Sequence, residues 1–339
     1  MKFTALKITE GDSFLLQNNE RNILFDTGKS KSECRIQLQI KQISHLDIVI
    51  ISHFDLDHVN GLIELLKSNI EITEIWLPDN FGRIQASLNK KKYGILNLIK
   101  EYEGRLFNDD DHADQLEFNE QEDSIESRSY FHELQIKPFA LIDFQLTNYL
   151  KGKQLTNIEN IVNECNKAKV IIKWLKYTGI FNSFQISNEM VGLNCIENTN
   201  ITAYSDDLEA LYFLSRINQE SLVLKFCMND LPEILFTADS GFEFLNPNQR
   251  IKLKDFSIMT APHHGSNNSE NGKGYSLVKG RKLTYVRSNN SRVTTISVKF
   301  THHIDSYCTI CRNAKSVLEE VVLTYSGKWN PNKGACKCI

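Results

Sequence analysis

A short polar segment, residues 52–58, constrains this chain more than any other part of its sequence. It follows the apolar run at 48–51, so a buried strand should end in a loop there. Within six residues the loop carries two imidazoles and two carboxylates, those of His53, Asp55, Asp57 and His58. Such side chains rarely cluster without a cation or hydrogen bonds, and both types bind divalent metals. We therefore interpret the loop as part of a metal site and not as a solvated polar loop.

Five stretches of the sequence together resemble the metallo-β-lactamase superfamily. They are GDSFLL at 11–16, ILFDTG at 23–28, the cluster at 53–58, LFTAD at 235–239 and PHHGS at 262–266. The family's cluster reads H-x-H-x-D-H, whereas this one reads H-x-D-x-D-H, because Asp55 replaces a histidine. The H-x-D-x-D-H pattern occurs here together with Asn218 and Ser221 in an N-x-x-S pattern. In both features the sequence resembles the competence-type DNA-internalisation metallohydrolases and their phosphodiesterase relatives.

The resemblance implies an α/β fold, the αββα sandwich of the family. We expect residues 1–81 and 181–339 to form this catalytic domain. Residues 82–180 lack the family pattern and carry apolar residues at helical spacing, which predicts a mainly helical insertion. The insertion is also a candidate surface for a protein partner, because residues 109–126 hold nine acidic residues and no lysine or arginine. A solvated loop is the other interpretation of that acidic run.

The resemblance also assigns roles in a site with two divalent ions. The expected metal ligands are His53, Asp55, Asp57, His58, Asp239 and His263. Zinc is the favoured ion, and the extra carboxylate makes manganese the alternative. Asp57 and Asp239 are expected to act in catalysis, and His264, His302 and His303 are alternative proton donors to the leaving oxygen. Residues expected to orient the ligands are Asp26, Asn218, Ser221 and His302.

The function expected from this site is hydrolysis of phosphodiesters, most simply in DNA or RNA, by a metal-bound hydroxide. A basic stretch at 271–304 contains no acidic residue and would contact substrate phosphates through Lys279, Arg281, Lys282 and Arg287. One alternative is a small ester, lactone or phosphorylcholine-like substrate. A second is a non-catalytic, metal-stabilised binding module in a larger complex, for which a role in bacterial defence against foreign DNA is a conjecture about context.

Composition limits these functions only weakly. The chain has 339 residues and a formal net charge of −3, so contact with a polyanion would need a local basic patch. No window approaches the ~18 apolar residues of a membrane span. The first residues do not form a leader pattern. We therefore expect a cytoplasmic protein with no membrane partner.

Eight cysteines in such a chain are expected to be reduced thiols. Cys308 and Cys311 form a C-x-x-C pair, and Cys336 and Cys338 form a C-x-C pair near the end of the chain. This spacing can close a tetrahedral structural zinc site, which would be a third metal ion. The alternatives are ordinary free thiols and a redox sensor.

Overall fold

The computed structural model describes the residues in ten ranges. They are 1–18, 21–90, 145–205, 209–210, 213, 220–267, 271–288, 295–311, 317–336 and 338. The strands are β1 (Lys2–Ala5), β2 (Phe14–Asn18), β3 (Arg21–Phe25), β4 (His45–Ile50), β5 (Glu71–Pro78), β6 (Ile171–Tyr177), β7 (Phe184–Gln185), β8 (Met190–Gly192), β9 (Cys195–Glu197), β10 (Leu224–Phe226), β11 (Ile234–Phe236), β12 (Ile251–Lys252), β13 (Ile258–Thr260), β14 (Val278–Lys279), β15 (Thr284–Arg287), β16 (Ser306–Cys308), β17 (Val321–Tyr325) and β18 (Trp329–Pro331). The helices are α1 (Glu33–Ile40), α2 (Leu56–Val59), α3 (Leu62–Leu66), α4 (Asp79–Asn89), α5 (Gln145–Ala168), α6 (Asn271–Leu277) and α7 (Val298–Thr301), and a 3₁₀ turn spans Pro262–Gly265.

Two large sheets form the centre of the fold. Within the described residues, sheet 1 has the order β18-β17-β1-β2-β3-β4-β5-β6-β9, and sheet 2 has the order β16-β15-β13-β11-β10-β8-β7. β3, β4, β5 and β6 are parallel neighbours in sheet 1, as are β11, β13, β15 and β16 in sheet 2. Parallel neighbours end at the same edge of a sheet, so the loops after β3 and β4 emerge together, as do the loops after β11 and β13.

Alternating apolar residues place a buried layer on both faces of sheet 1. Leu16 and Phe25 point between the sheets and pack with Phe236 of sheet 2, whereas their neighbours Leu15 and Leu24 point outward. The two Phe rings of that contact, Phe25 and Phe236, stack with centroids 4.5 Å apart. This period-two pattern is what a sheet covered on both faces requires.

Helices cover the outer face of each sheet. Leu38 of α1, Leu62 of α3, Ile84 of α4 and Ile158 of α5 are buried against sheet 1. Tyr275 of α6 and Phe300 of α7 are buried in the cluster on the outer face of sheet 2. The resulting order of layers is helix, sheet, sheet, helix, and the predicted αββα sandwich is confirmed.

The segment predicted to be a helical insertion, 82–180, is only partly described. Residues 91–144, including the acidic run at 109–126, lie outside the described residues. The remainder contributes α4, α5 and β6, and β6 is a parallel member of sheet 1 beside β5. Leu175 of β6 is buried between the sheets. This part of the segment is therefore integral to the sandwich.

No helix among the described residues combines the length and the apolar character that crossing a membrane requires.

Candidate metal centre

The predicted ligands meet where two parallel pairs of strands end. Asp26 follows β3, the 52–58 loop follows β4, Asp239 follows β11, and the 262–265 turn follows β13. The first pair of strands belongs to sheet 1 and the second pair to sheet 2. The site therefore lies between the carboxyl ends of strands from both sheets.

The first group of ligand atoms comes from His53, Asp55 and Asp239, whose atoms all lie within 4.8 Å of one another. The Nε2 atom of His53 is 3.8 Å from Oδ2 of Asp55 and 3.8 Å from Oδ2 of Asp239. Its other ring nitrogen, Nδ1, lies 2.9 Å from the hydroxyl of Ser52. This contact turns Nε2 toward the two carboxylates.

The second group shares Asp239 with the first. It contains Asp12, His58, Asp239 and His264, also within 4.8 Å of one another. The Nε2 atom of His58 is 3.2 Å from Oδ1 of Asp239. The Nε2 atom of His264 is 3.6 Å from that oxygen and 3.1 Å from Oδ2 of Asp57. Asp239 thus presents one oxygen to each group, as a carboxylate that bridges two ions does.

Two buried carboxylates fix the orientation of the imidazoles in the second group. Oδ2 of Asp26 lies 2.8 Å from Nδ1 of His58, and Oδ1 of Asp12 lies 3.0 Å from Nδ1 of His264. A carboxylate on Nδ1 favours a proton there, which leaves the Nε2 lone pair free for a metal. Asp26 also accepts hydrogen bonds from the backbone and hydroxyl of Ser52, each at 2.8 Å.

Buried polar atoms that lack a hydrogen-bond partner indicate whether a cation would fit between the two groups of side chains. Among the described residues, the buried atoms without a hydrogen-bond partner include Nε2 of His53, His58 and His264 and Oδ1 of Asp239. Leaving such atoms unpaired inside a protein is costly. All four point into the two groups, so cations at these positions would satisfy them. The mixed nitrogen and carboxylate donors suit zinc or manganese.

Charges within the cluster shift pKa values in opposite directions. Burial alone would lower the pKa of His58 and of His264, but carboxylates, first Asp239 for His58 and first Asp12 for His264, raise both values well above the ordinary range. Burial opposes ionisation of Asp239, yet His263, His58 and His264 hold its pKa well below the usual value. Metal binding must displace the imidazole protons, so it weakens as the pH falls.

The backbone around the ligands adopts the left-handed region, which non-glycine residues seldom occupy. The φ angles are 58° at Asp26, 46° at Ala238, 46° at His263 and 52° at His264. Strained residues of this kind persist where the surrounding structure fixes them, and they concentrate at functional sites. Here they aim consecutive side chains into the cluster.

The two adjacent histidines of the 262–265 turn have different environments. His264 is fully buried, whereas the side chain of His263 is 31% exposed, with Nε2 3.6 Å from Oδ2 of Asp239. The sequence assigned His263 to the metals and His264 to catalysis. In the structure, Nε2 of His264 lies near Asp57 and near Oδ1 of Asp239, whereas Nε2 of His263 lies at the rim, as close to Oδ2 of Asp239.

Two other predicted histidines lie away from the cluster. His303 stacks on Tyr285 with ring centroids 4.1 Å apart, and its Nε2 is 2.6 Å from the carbonyl of Leu283. Leu283 precedes β15, so this contact is at the amino end of the strand, opposite the edge that carries the ligands. His302 is exposed. The structure therefore does not bring His302 or His303 to the metal ligands.

The N-x-x-S pair is described only in part. Ser221 is buried, and the next residue, Leu222, donates its backbone N–H to the carbonyl of Ser52 at 3.0 Å. Ser221 thus lies beside the loop that carries His53, and Asn194 donates to its carbonyl at 2.8 Å. Asn218 lies outside the described residues.

The predicted basic surface is divided between two places. Arg287 is fully buried at the carboxyl end of β15, where Nε donates to the carbonyl of His264. Arg281 forms an exposed salt bridge with Asp255 at 2.9 Å, and Lys282 lies over the ring of Phe256. Lys279 is exposed in β14. Lys279, Arg281 and Lys282 precede β15, whose carboxyl end is the one that lies at the ligand edge.

Asp12 is the functional residue that the sequence interpretation missed. Asp12 lies in the GDSFLL stretch at 11–16, but the sequence interpretation gave it no role in the site. The available signal in the sequence was the glycine before it, Gly11. The structure shows why glycine is needed there, because its φ is +97° and a Cβ would lie 1.8 Å from the carbonyl oxygen of Asp57. This close approach presses the 11–12 turn onto the metal loop.

The family comparison agrees with this fold and site. The family model described as "Metallo-beta-lactamase superfamily" matches residues 8–72, the segment that holds Asp12, Asp26 and the 53–58 cluster. The match covers 65 of the 339 residues, and over this segment the chain is similar to that family. A search of curated protein sequences found no match.

Solved structures similar to this chain include the following three. Tm1679, described as a metal-dependent hydrolase of the β-lactamase superfamily, is 14% identical, with a TM-score of 0.42 over 96% of this chain and 100% of that chain. A diphosphatase from the PhnP family is 7% identical, with a TM-score of 0.38 over 97% and 100%. The metallo-β-lactamase fold protein YhfI from Bacillus subtilis is 10% identical, with a TM-score of 0.32 over 85% and 97%.

Proposed function

We propose that the protein is a metal-dependent hydrolase that cleaves phosphodiester bonds. The observation that carries the proposal is the position of Asp239, whose two oxygens face the two ligand groups. The two groups would hold two divalent ions, which would supply a water of lowered pKa and a positive charge to polarise a phosphoryl oxygen. The carboxylates of Asp55, Asp57 and Asp239 make the donor set hard, which suits divalent ions that also accept a phosphodiester oxygen as a ligand.

The side chains of the chain divide the remaining work. Asp12 and Asp26 hold His264 and His58 in the orientation that presents Nε2. We assign proton donation to His263, because its imidazole is partly exposed and adjoins Asp239. A general acid must reach the leaving oxygen of a bound substrate, and the fully buried His264 has no such access.

The substrate class rests on the sequence resemblance. The H-x-D-x-D-H pattern resembles the corresponding motif of the competence-type DNA-internalisation metallohydrolases. This resemblance favours DNA or RNA as the phosphodiester substrate. Arg287 is buried under the 262–265 turn. Contacts with a nucleic-acid strand would therefore have to come from exposed residues such as Arg281, whose side chain is 86% exposed.

A second candidate function is hydrolysis of a small ester or lactone. It is favoured by a small cleft beside His53, whose lining residues are Phe54, Pro78, Asn80, Phe81, Phe213 and Glu220. The cleft is about 10 Å³, room for about one water molecule, so its apolar side would contact the edge of a small organic group and would not enclose it.

The test combines metal analysis with a panel of substrates. The protein is stripped with chelator and reloaded with zinc or manganese. It is then assayed on linear single- and double-stranded DNA, RNA, bis-p-nitrophenyl phosphate and p-nitrophenyl acetate. We expect metal-dependent cleavage of the diesters, and hydrolysis of the acetate alone would transfer the assignment to the second candidate. A metal-loaded protein that cleaves nothing would favour a binding module.

Variants sharpen the assignment. Asp239→Asn should abolish diester cleavage, whereas Asp47→Asn is the matched control, because Asp47 lies near the start of β4 and pairs with Arg21. Arg281→Ala should weaken cleavage of DNA or RNA but leave cleavage of bis-p-nitrophenyl phosphate unchanged. His263→Gln should retain metal and lose activity, and loss of metal in that variant would contradict its role as proton donor.

A further inference from the structure

A second cluster of ligands lies at the end of the chain, outside the His and Asp site. Cys308 is the last residue of β16 at the edge of sheet 2, and Cys311 follows three residues later. Cys336 and Cys338 follow β17 and β18 in the chain, and these two strands belong to sheet 1, where β17 pairs with β1 and with β18. All four sulfur atoms lie within 4.8 Å of one another.

Three of the four sulfur–sulfur distances between the two cysteine pairs match a tetrahedral metal site, and the fourth is shorter. The Sγ atom of Cys308 is 3.0 Å from that of Cys336 and 3.7 Å from that of Cys338. The Sγ atom of Cys311 is 3.9 Å and 3.7 Å from the same two atoms. In a zinc–thiolate tetrahedron with Zn–S distances of about 2.3 Å, sulfur atoms are about 3.8 Å apart.

The environment of the cluster is also that of a closed structural site. Cys308 and Cys338 are 1% and 2% exposed, and Cys311 and Cys336 are half-buried. The backbone N–H of Cys338 points to Sγ of Cys336 at 3.4 Å, a contact that stabilises a thiolate. The N–H of Cys336 donates to the carbonyl of Ser306 at 2.6 Å, which fixes the returning segment beside β16.

We propose that Cys308, Cys311, Cys336 and Cys338 bind one structural zinc ion. Four thiolates are soft donors and select zinc over manganese or magnesium, and four protein ligands leave no open position for catalysis. The ion would close the loop that carries β17 and β18 and attach the end of the chain to the edge of sheet 2. Because β17 pairs with β1, the same ion would also stabilise the pairing of the two ends of the chain in sheet 1.

Cobalt substitution distinguishes this site from the His and Asp centre. Cobalt bound to thiolates gives sulfur-to-metal charge-transfer absorption, and the His and Asp ligands contain no sulfur. We expect one thiolate–cobalt chromophore per chain in the full-length protein. It should persist in Asp57→Ala and disappear in the Cys336→Ser, Cys338→Ser pair. Cys227→Ser is the matched control, because Cys227 is a half-buried cysteine that contacts Glu233 instead of the cluster.

Zinc stoichiometry and thiol labelling provide a second measurement. Elemental analysis should show a loss of one zinc per chain in the double variant and no loss in Cys227→Ser. In the unmodified protein, the four thiols should resist alkylation until a chelator removes the ion. Unchanged zinc content in the double variant, or a chromophore absent from the unmodified protein, would overturn the proposal. A Cys308–Cys336 disulfide found by mass spectrometry in freshly purified, metal-replete protein would overturn it too.

Discussion

Substituting Asp26 by asparagine tests how the carboxylate controls the imidazole of His58. Asp26 is fully buried, and its two oxygens accept three hydrogen bonds. Oδ1 accepts the backbone N–H of Ser52, and Oδ2 accepts the Ser52 hydroxyl and Nδ1 of His58, each at 2.8 Å. Asparagine has nearly the same shape but only one acceptor oxygen.

The amide group of Asn at position 26 must therefore face one of these donors. If it faces His58, the imidazole moves its proton to Nε2, the atom that lies 3.2 Å from Asp239 and would bind the ion. If it faces Ser52, a buried backbone N–H loses its acceptor, at a cost of about 1–3 kcal/mol. Partners that orient a ligating histidine typically contribute about 10–100-fold in metal affinity, or about 1.4–2.7 kcal/mol.

The measurement is metal affinity by competition with a chromophoric chelator, together with the free energy of unfolding from urea titration. We expect Asp26→Asn to lose at least about tenfold in affinity for one of the two ions. Asp47→Asn provides the control, because this carboxylate lies on the neighbouring strand and accepts the backbone N–H of Asn22 at 2.7 Å. Unchanged affinity together with an unchanged free energy of unfolding, in a folded Asp26→Asn variant, would refute the argument, because one of the donors to Asp26 must lose its acceptor.

The remaining predictions concern the ligand turn, the glycine beside the metal loop and one buried ion pair. His264→Ala should remove one ion, while His303→Ala should retain both, as measured by elemental analysis, because only the first imidazole faces Asp239. Gly11→Ala should unfold at lower temperature than Gly327→Ala and lose metal. Both glycines have positive φ, but a Cβ at Gly327 has no neighbour within 4 Å among the described residues, so that variant bears only the cost of its φ angle, about 1–2 kcal/mol. Burial opposes ionisation of Glu233, but hydrogen bonds from Lys225 and a backbone N–H outweigh it and lower its pKa. Its contribution to stability is therefore present at neutral pH and is lost as the pH falls through its folded-state pKa. The difference in unfolding free energy between the protein and Glu233→Gln should thus shrink below pH about 4.

The sandwich could be predicted because its strands carry local signals. The apolar runs before the metal loop and before Pro78 are strands in the structure, as their composition indicates. β6 was missed, because Ile172 and Leu175 continue the helical spacing of the preceding segment. The β-branched run at 170–172 was the competing signal, and pairing with β5 decided the outcome. Pairing with β15 likewise holds Ser306–Cys308 in sheet 2 as β16.

The metal site could be predicted to the extent that its ligands are close in sequence. His53, Asp55, Asp57 and His58 lie on one loop, and their chemistry is legible without the fold. The contact between Asp12 and His264 joins residues 252 positions apart, so only the packing of the two sheets creates it. The choice between His263 and His264 was likewise not available, because it depends on the left-handed backbone of the turn.

The same long-range contact implies that metal binding and folding are coupled. Asp12 and the 53–58 loop belong to sheet 1, whereas Asp239 and His264 follow strands of sheet 2. Neither sheet alone brings together the second ligand group, and its buried imidazoles and carboxylates would be poorly satisfied without a cation. An ion that binds only the docked sheets stabilises them in proportion to the logarithm of its concentration relative to its dissociation constant. An ion in this site would therefore also hold the two halves of the sandwich together, and docking of the sheets maintains the left-handed backbone around it.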